Sequence, residues 1–299
     1  MMRQSTGLYA ALALWALTGT GTLAESAGHG GLPPALPAAV NDHSSRPPAL
    51  PAAQTAGPEG ALCTGFGPQT PRDIGQRRGL NRTAWTPAPA AAELTLCNIH
   101  THTNAEHKGP GFSVFVGDGV NGGYACNQTD ELTAEELRPV QNPHFDGIKP
   151  GDTIEVHWVY TSCEVDPGPG LGSCLSDSCK NPQLRVESQV FLLVNDPKAL
   201  NFLDYAYAGT HVAGRAQARA LPSGTGEPVV FAGSTTGPDY TQAVCSPMLV
   251  TWSVRPTCAK LDIYTLDRWG AAGNVFQEHH SHGVRQLVTA QELLSFIDE

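Results

Sequence analysis

Two short stretches concentrate side chains able to grip a cation. CNIHTHTNAEHKG (97–109) carries His100, His102, Glu106 and His107, and EVH (155–157) sets Glu155 two residues before His157. In a strand, side chains two apart leave the same face. His100 and His102 therefore project together while Thr101 points away, and Glu155 and His157 repeat the device on a second strand. Bringing the two strands together converges three imidazoles on one point with Glu155 behind them. Three neutral nitrogen ligands with one position left open describe a catalytic zinc centre rather than a structural one. A carboxylate beside it can accept a hydrogen bond from the far nitrogen of a ligand ring and so fix its tautomer. Spacing does not say which ring Glu155 serves.

The elements that must position these groups read as strands. GDTIEVHWVYTS (151–162), LRVESQVFLLVND (184–196) and PMLVTWSV (247–254) are rich in β-branched and aromatic residues. AKLDIYTLD (259–267) alternates like a half-buried strand. Two stretches, TAEELRPV near Thr133 and TAQELLSFI near Thr289, carry a Thr followed three residues on by an acid, the signature of a helix start. DPGPGLGS (166–173) is a loop. The expected fold is mainly β, one domain built on a large twisted mixed or antiparallel sheet with a few short helices.

The chain has 299 residues and a formal net charge of -10. With 18 Lys+Arg spread along it, there is no basic patch for a phosphate backbone, so a nucleic-acid partner is not expected. A positive start, the apolar run LYAALALWAL (8–17) and the small residues TLA (22–24) read as an export signal over 1–24. The Ala/Pro-rich segment 25–60, with PPALPAA twice, reads as a flexible linker. Residues 61–299 are the expected catalytic domain. After signal cleavage no stable membrane insertion is expected, and the oligomeric state is not legible. Eight cysteines fit disulfides in an oxidising compartment, periplasmic or extracellular. Proximity in sequence points to Cys163 with Cys174 and Cys97 with Cys126.

These motifs resemble carbonic anhydrases, most closely the δ class, with a pattern shared by the α class. CTGFGPQTPRDI (63–74), IHTHTNAEHKG (99–109), IEVHWV (154–159), YTQAVC (240–245) and VTW (250–252) occur in the order of that pattern. The resemblance implies an α-carbonic-anhydrase-like fold and reversible hydration of CO2 to bicarbonate and a proton by zinc-bound hydroxide. It implies Zn2+ on His100, His102 and His157, with Glu155 as the supporting carboxylate. Glu106 and Thr241 become a pair that orients the hydroxide, and Val159 and Trp252 line an apolar substrate pocket. His107 becomes a buried structural residue, in reserve as third ligand. A Cys63–Cys245 disulfide follows from the same resemblance. The α-class proton-shuttle histidine has no counterpart, because Gly75 to Leu96 contains no histidine. His144, His211, His279, His280 and His282 are the remaining candidates. Two other readings compete: a cupin-type oxygenase or isomerase using His100, His102 and Glu106, and a secreted zinc-binding protein without catalysis.

Overall fold

The computed structural model describes residues 61–298 apart from Asn142, Thr236 and Pro238. The expected export signal and linker, 1–24 and 25–60, lie outside the described residues. Ten strands follow in order: β1 Thr95–Thr103, β2 Val114–Gly117, β3 Gly123–Ala125, β4 Thr153–Thr161, β5 Leu184–Val194, β6 His211–Val212, β7 Arg215–Ala216, β8 Val229–Ser234, β9 Leu249–Val254 and β10 Ala259–Asp262. Among the described residues there is one α-helix, α1, spanning Ile263–Ala271.

Six strands form the central sheet in the order β1-β4-β5-β9-β8, with β10 also pairing β5. β1–β4, β4–β5 and β8–β9 are antiparallel, whereas β5 runs parallel to β9 and β10, so the sheet is mixed, as expected. Both faces are covered, which is why β4 is buried at every position. On one face Ile154, Val156, Trp158 and Tyr160 pack with Phe191, Leu193 and the α1 residues Ile263, Leu266 and Trp269. The other face carries Val159, Val186, Val190, Val250 and Trp252, and among them the polar residues Glu155 and His157. Full burial of each such aliphatic or aromatic side chain contributes about 1.5–3 kcal/mol, enough to offset the burial of a polar cluster on the same face.

Three sequence expectations are corrected. The alternating stretch 259–267 is a strand only to Asp262. Its side chain then accepts from Tyr264 N at 3.2 Å and starts α1. At Thr133 the reciprocal cap forms, with Thr133 N on Glu136 Oε2 and Glu136 N on Thr133 Oγ1, yet only a turn follows before Pro139. Near Thr289 the structure has only the 3-10 turn Gln291–Leu293, because Thr289 N is taken by Gln242 Oε1.

The disulfides are Cys63–Cys245, Cys97–Cys174, Cys126–Cys258 and Cys163–Cys179, which uses all eight cysteines. The first agrees with the resemblance. The pairings expected from proximity, Cys163–Cys174 and Cys97–Cys126, are not formed, because the sheet brings together residues far apart in sequence. Four disulfides fit a non-cytoplasmic protein. Among the described residues no helix is long and apolar enough to cross a membrane.

Candidate metal centre

The β1–β4 register sets His100 opposite His157 and His102 opposite Glu155, all on one face. Strand alternation and register together bring one nitrogen of each of His100, His102 and His157 within 4.8 Å of the others. His100 Nε2 and His157 Nδ1 are 3.2 Å apart. Nitrogens bound tetrahedrally to zinc at about 2.0–2.1 Å would stand about 3.3 Å from one another. The donor set therefore fits such an ion, and His102 Nε2 is buried with no protein partner.

Two of the three rings are held by their other nitrogen. His100 Nδ1 lies 2.6 Å from Asn98 Oδ1, and His102 Nδ1 is 3.1 Å from the Gly283 carbonyl. His157 Nε2 lies 3.1 Å from Glu155 Oε1, off the hydrogen-bonding axis. Glu155 thus lies beside the far nitrogen of His157, while the imidazole that hydrogen-bonds to it is His107, through Nδ1 at 3.0 Å. Burial pushes all three imidazoles below their ordinary pKa, His102 to about 4, so they are neutral and available to a cation at neutral pH.

Glu155 is fully enclosed. Oε2 accepts from Glu106 N at 2.6 Å and His107 N at 3.2 Å, and Oε1 accepts from His107 Nδ1 at 3.0 Å and from Ser188 Oγ. Burial alone would raise its pKa, but the facing His107 and His157 and these donors hold it well below the usual carboxylate range. Glu106 is also buried, and burial raises its pKa. Its Oε2 accepts from Arg285 N at 3.4 Å, and Oε1 has no protein partner. His107 is buried between Glu155 and Trp252, its ring centroid 4.6 Å from that of Trp252.

A second group that could hold an ion, Glu106, His107 and His157, overlaps the first. His107 Nδ1 is committed to Glu155 while its Nε2 is buried with no protein partner, so the two groups share His157 and differ in whether His100 and His102 or Glu106 and His107 complete them. The set His100, His102 and Glu106 needed by the cupin reading is not such a group among the described residues. Val159 and Trp252 line a small apolar cavity beside His100 and His157, with Leu171, Val186, Thr235 and Val250. Thr241 is not joined to Glu106. Its Oγ1 accepts from Ala243 N and Val244 N, while Arg285 touches both residues, through its backbone N to Glu106 and through Nη2 to the Thr241 carbonyl.

Of the outlying histidines, His282 comes closest, its ring centroid 6.1 Å from that of His100 and 5.0 Å from that of His280, which is followed by His279 at 4.9 Å. His144 instead faces Asp267, and His211 sits in the β6–β7 hairpin. Sequence reasoning missed Asn98, Ser188 and Gly283. Asn98 had a signal, since CNIHTH places it two residues before His100 on the same face. Ser188 and Gly283 had none, because only register and chain return bring them in.

The family described as delta carbonic anhydrase matches residues 91–265, more than half of the chain. The chain belongs to the delta carbonic anhydrase family. Its enzymatic class is that of a carbonic anhydrase, acting on CO2 and bicarbonate. Similar solved structures include an α-carbonic anhydrase from Thermovibrio ammonificans in complex with sulfanilamide, 13% identical with a TM-score of 0.29, covering 72% of this chain and 82% of that one. An α-carbonic anhydrase from Photobacterium profundum is 18% identical with a TM-score of 0.25, covering 74% and 85%. A halotolerant carbonic anhydrase from Dunaliella salina is 15% identical with a TM-score of 0.31, covering 75% and 85%. No curated protein matches the chain.

Proposed function

We propose that the chain is an exported enzyme that hydrates CO2 reversibly at a zinc ion held by His100, His102 and His157. The observation that carries the reading is the convergence of three neutral imidazoles, His102 and His157 buried and His100 partly so, beside an apolar cavity. Zinc bound there would supply a water that is nucleophilic at neutral pH, for which carbonic anhydrase is the standard example.

The chain's own residues do the rest. Asn98, Gly283 and Glu155 orient the ligand rings, so each presents a lone pair to the ion. Val159, Val186, Val250 and Trp252, whose indole N–H is taken by the Ser234 carbonyl, offer an apolar wall suited to a small nonpolar substrate. Glu106 Oε1, buried and open, is the acceptor for a hydroxyl proton from Thr241. In that role Thr241 Oγ1 leaves the amides of Ala243 and Val244 and orients the attacking oxygen. The proton released by hydration leaves along His282, His280 and His279, which lead from the triad to solvent. His107 keeps Glu155 in place. Residues 1–24 act as the export signal and 25–60 as a spacer, consistent with the disulfides.

The test is metal analysis together with a CO2 hydration assay on the unmodified protein, His157→Ala and His107→Ala. Zinc with rapid hydration, both lost in His157→Ala, supports the assignment. Zinc and activity surviving in His157→Ala but lost in His107→Ala move the third ligand to His107. Zinc without hydration leaves a binding protein.

A further inference from the structure

The antiparallel strands β4 and β5 pair up to Thr161 opposite Leu184. A hairpin at that point needs a loop of about 2–5 residues, yet the connection runs through 162–183. It is fastened twice. Cys163–Cys179 closes its neck, and Cys97–Cys174 ties its far end to β1, three residues before His100.

The tie sits where β1 is irregular. The register shifts between Leu96 and Asn98, which pair with the consecutive residues Tyr160 and Val159 and leave Cys97 as the extra residue. Such a bulge re-aims side chains. Here it gives Cys97 to the loop and turns Leu96 to the opposite face from Asn98, which shares the face of His100 by alternation. Gly168 N donates to the Cys97 carbonyl at 3.0 Å, and Asn98 Nδ2 donates to the Gly168 carbonyl at 3.0 Å. The amide of Asn98, 1% exposed, therefore has one orientation: its nitrogen faces the loop and its oxygen faces His100 Nδ1 at 2.6 Å. An acceptor there puts the ring proton on Nδ1 and leaves Nε2 free to bind a cation. The short helix Leu171–Cys174 in the same loop places Leu171 in the wall of the cavity that His100 and His157 line.

We propose that loop 162–183 is part of the active site and that the Cys97–Cys174 disulfide holds it there, seating Leu171 against the substrate and selecting the tautomer of His100 through Gly168 and Asn98. Leu171 is then a residue that determines substrate affinity, and Asn98 is a positioning residue under the control of the loop. The role of Leu171 rests on the carbonic anhydrase reading. The role of Asn98 rests on the histidine triad alone.

The experiment compares Leu171→Ala, Asn98→Leu, Cys97→Ala/Cys174→Ala and the control Cys163→Ala/Cys179→Ala. Zinc affinity is measured by chelator competition, the His100 tautomer by nitrogen NMR of the metal-free protein, and CO2 hydration as separate KM and kcat. Leu171→Ala should raise KM several-fold at unchanged zinc content and little-changed kcat. Asn98→Leu and the Cys97/Cys174 pair should each weaken zinc by about 10–100-fold and lose the pure Nδ1–H form of His100. The Cys163/Cys179 control should keep both. The proposal is overturned by a folded Cys97/Cys174 variant with unaltered zinc affinity and tautomer, or by an equal loss in the control. If the cysteine variants do not fold, Asn98→Leu and Leu171→Ala decide. If the unmodified protein hydrates no CO2, the functional reading fails, while zinc affinity and tautomer still decide whether the loop governs His100.

Discussion

Replacing Glu155 by Gln keeps the shape of the side chain and changes one oxygen into a donor. In the native site both oxygens only accept: Oε2 from two backbone amides, Oε1 from His107 Nδ1 and Ser188 Oγ, with His157 Nε2 3.1 Å away. The Gln oxygen goes to the two amides, which cannot move. The new NH2 group then faces His107, Ser188 and His157. Ser188 can turn its hydroxyl and accept, and His107 can accept on Nδ1 by moving its proton to Nε2, but His157 Nε2, 3.1 Å away, can accept only by moving its proton to Nδ1, the nitrogen that faces His100 Nε2 at 3.2 Å. That proton occupies the place of the ion. Outer groups of this kind govern metal affinity by about 10–100-fold, which is about 1.4–2.8 kcal/mol. We expect Glu155→Gln to bind zinc that much more weakly in competition with a chromogenic chelator. The metal-free protein should lose about 1–3 kcal/mol of stability, as charge-assisted bonds become neutral ones. A well-folded Glu155→Gln whose zinc affinity is the same as native would refute the assignment of Glu155 to His157.

Removing metal with a chelator should abolish hydration, and adding zinc should restore it. The melting transition should rise with zinc, by about 4 kcal/mol of stability at a thousand-fold excess over Kd. His280→Ala should slow hydration in weak buffer and recover when imidazole is added, with zinc content unchanged; no recovery would remove the histidine row as the proton exit. Thr241→Ala should lower kcat by about 10²-fold if its hydroxyl turns to Glu106. A kcat at the native level, with only about 1 kcal/mol of stability lost, would leave Thr241 as the turn residue that its contacts with Ala243 and Val244 describe. Trp252→Ala, which empties a site 1% exposed beside His107 and His157, should cost about 3–5 kcal/mol in thermal or denaturant unfolding.

Local pattern alone determined much of this protein. A two-residue repeat is a property of any strand, so the common face of His100 and His102, and that of Glu155 and His157, followed from CNIHTH and EVH without a partner in view. The β-branched runs named β4, β5 and β9 for the same reason. Where two local rules competed, sequence failed: the alternation of 259–267 concealed the Asp262 cap of α1, and the acid following Thr289 by three residues gave only a 3-10 turn. What only the tertiary structure decided are relations between distant segments. The pairing of His100 with His157 depends on which register best buries the other face of the sheet. Cys97 finds Cys174 through the course of the loop, and Gly283 reaches His102 because a later segment runs along the free edge of β1. These choices minimise the free energy of the whole molecule, and no window of sequence contains both partners.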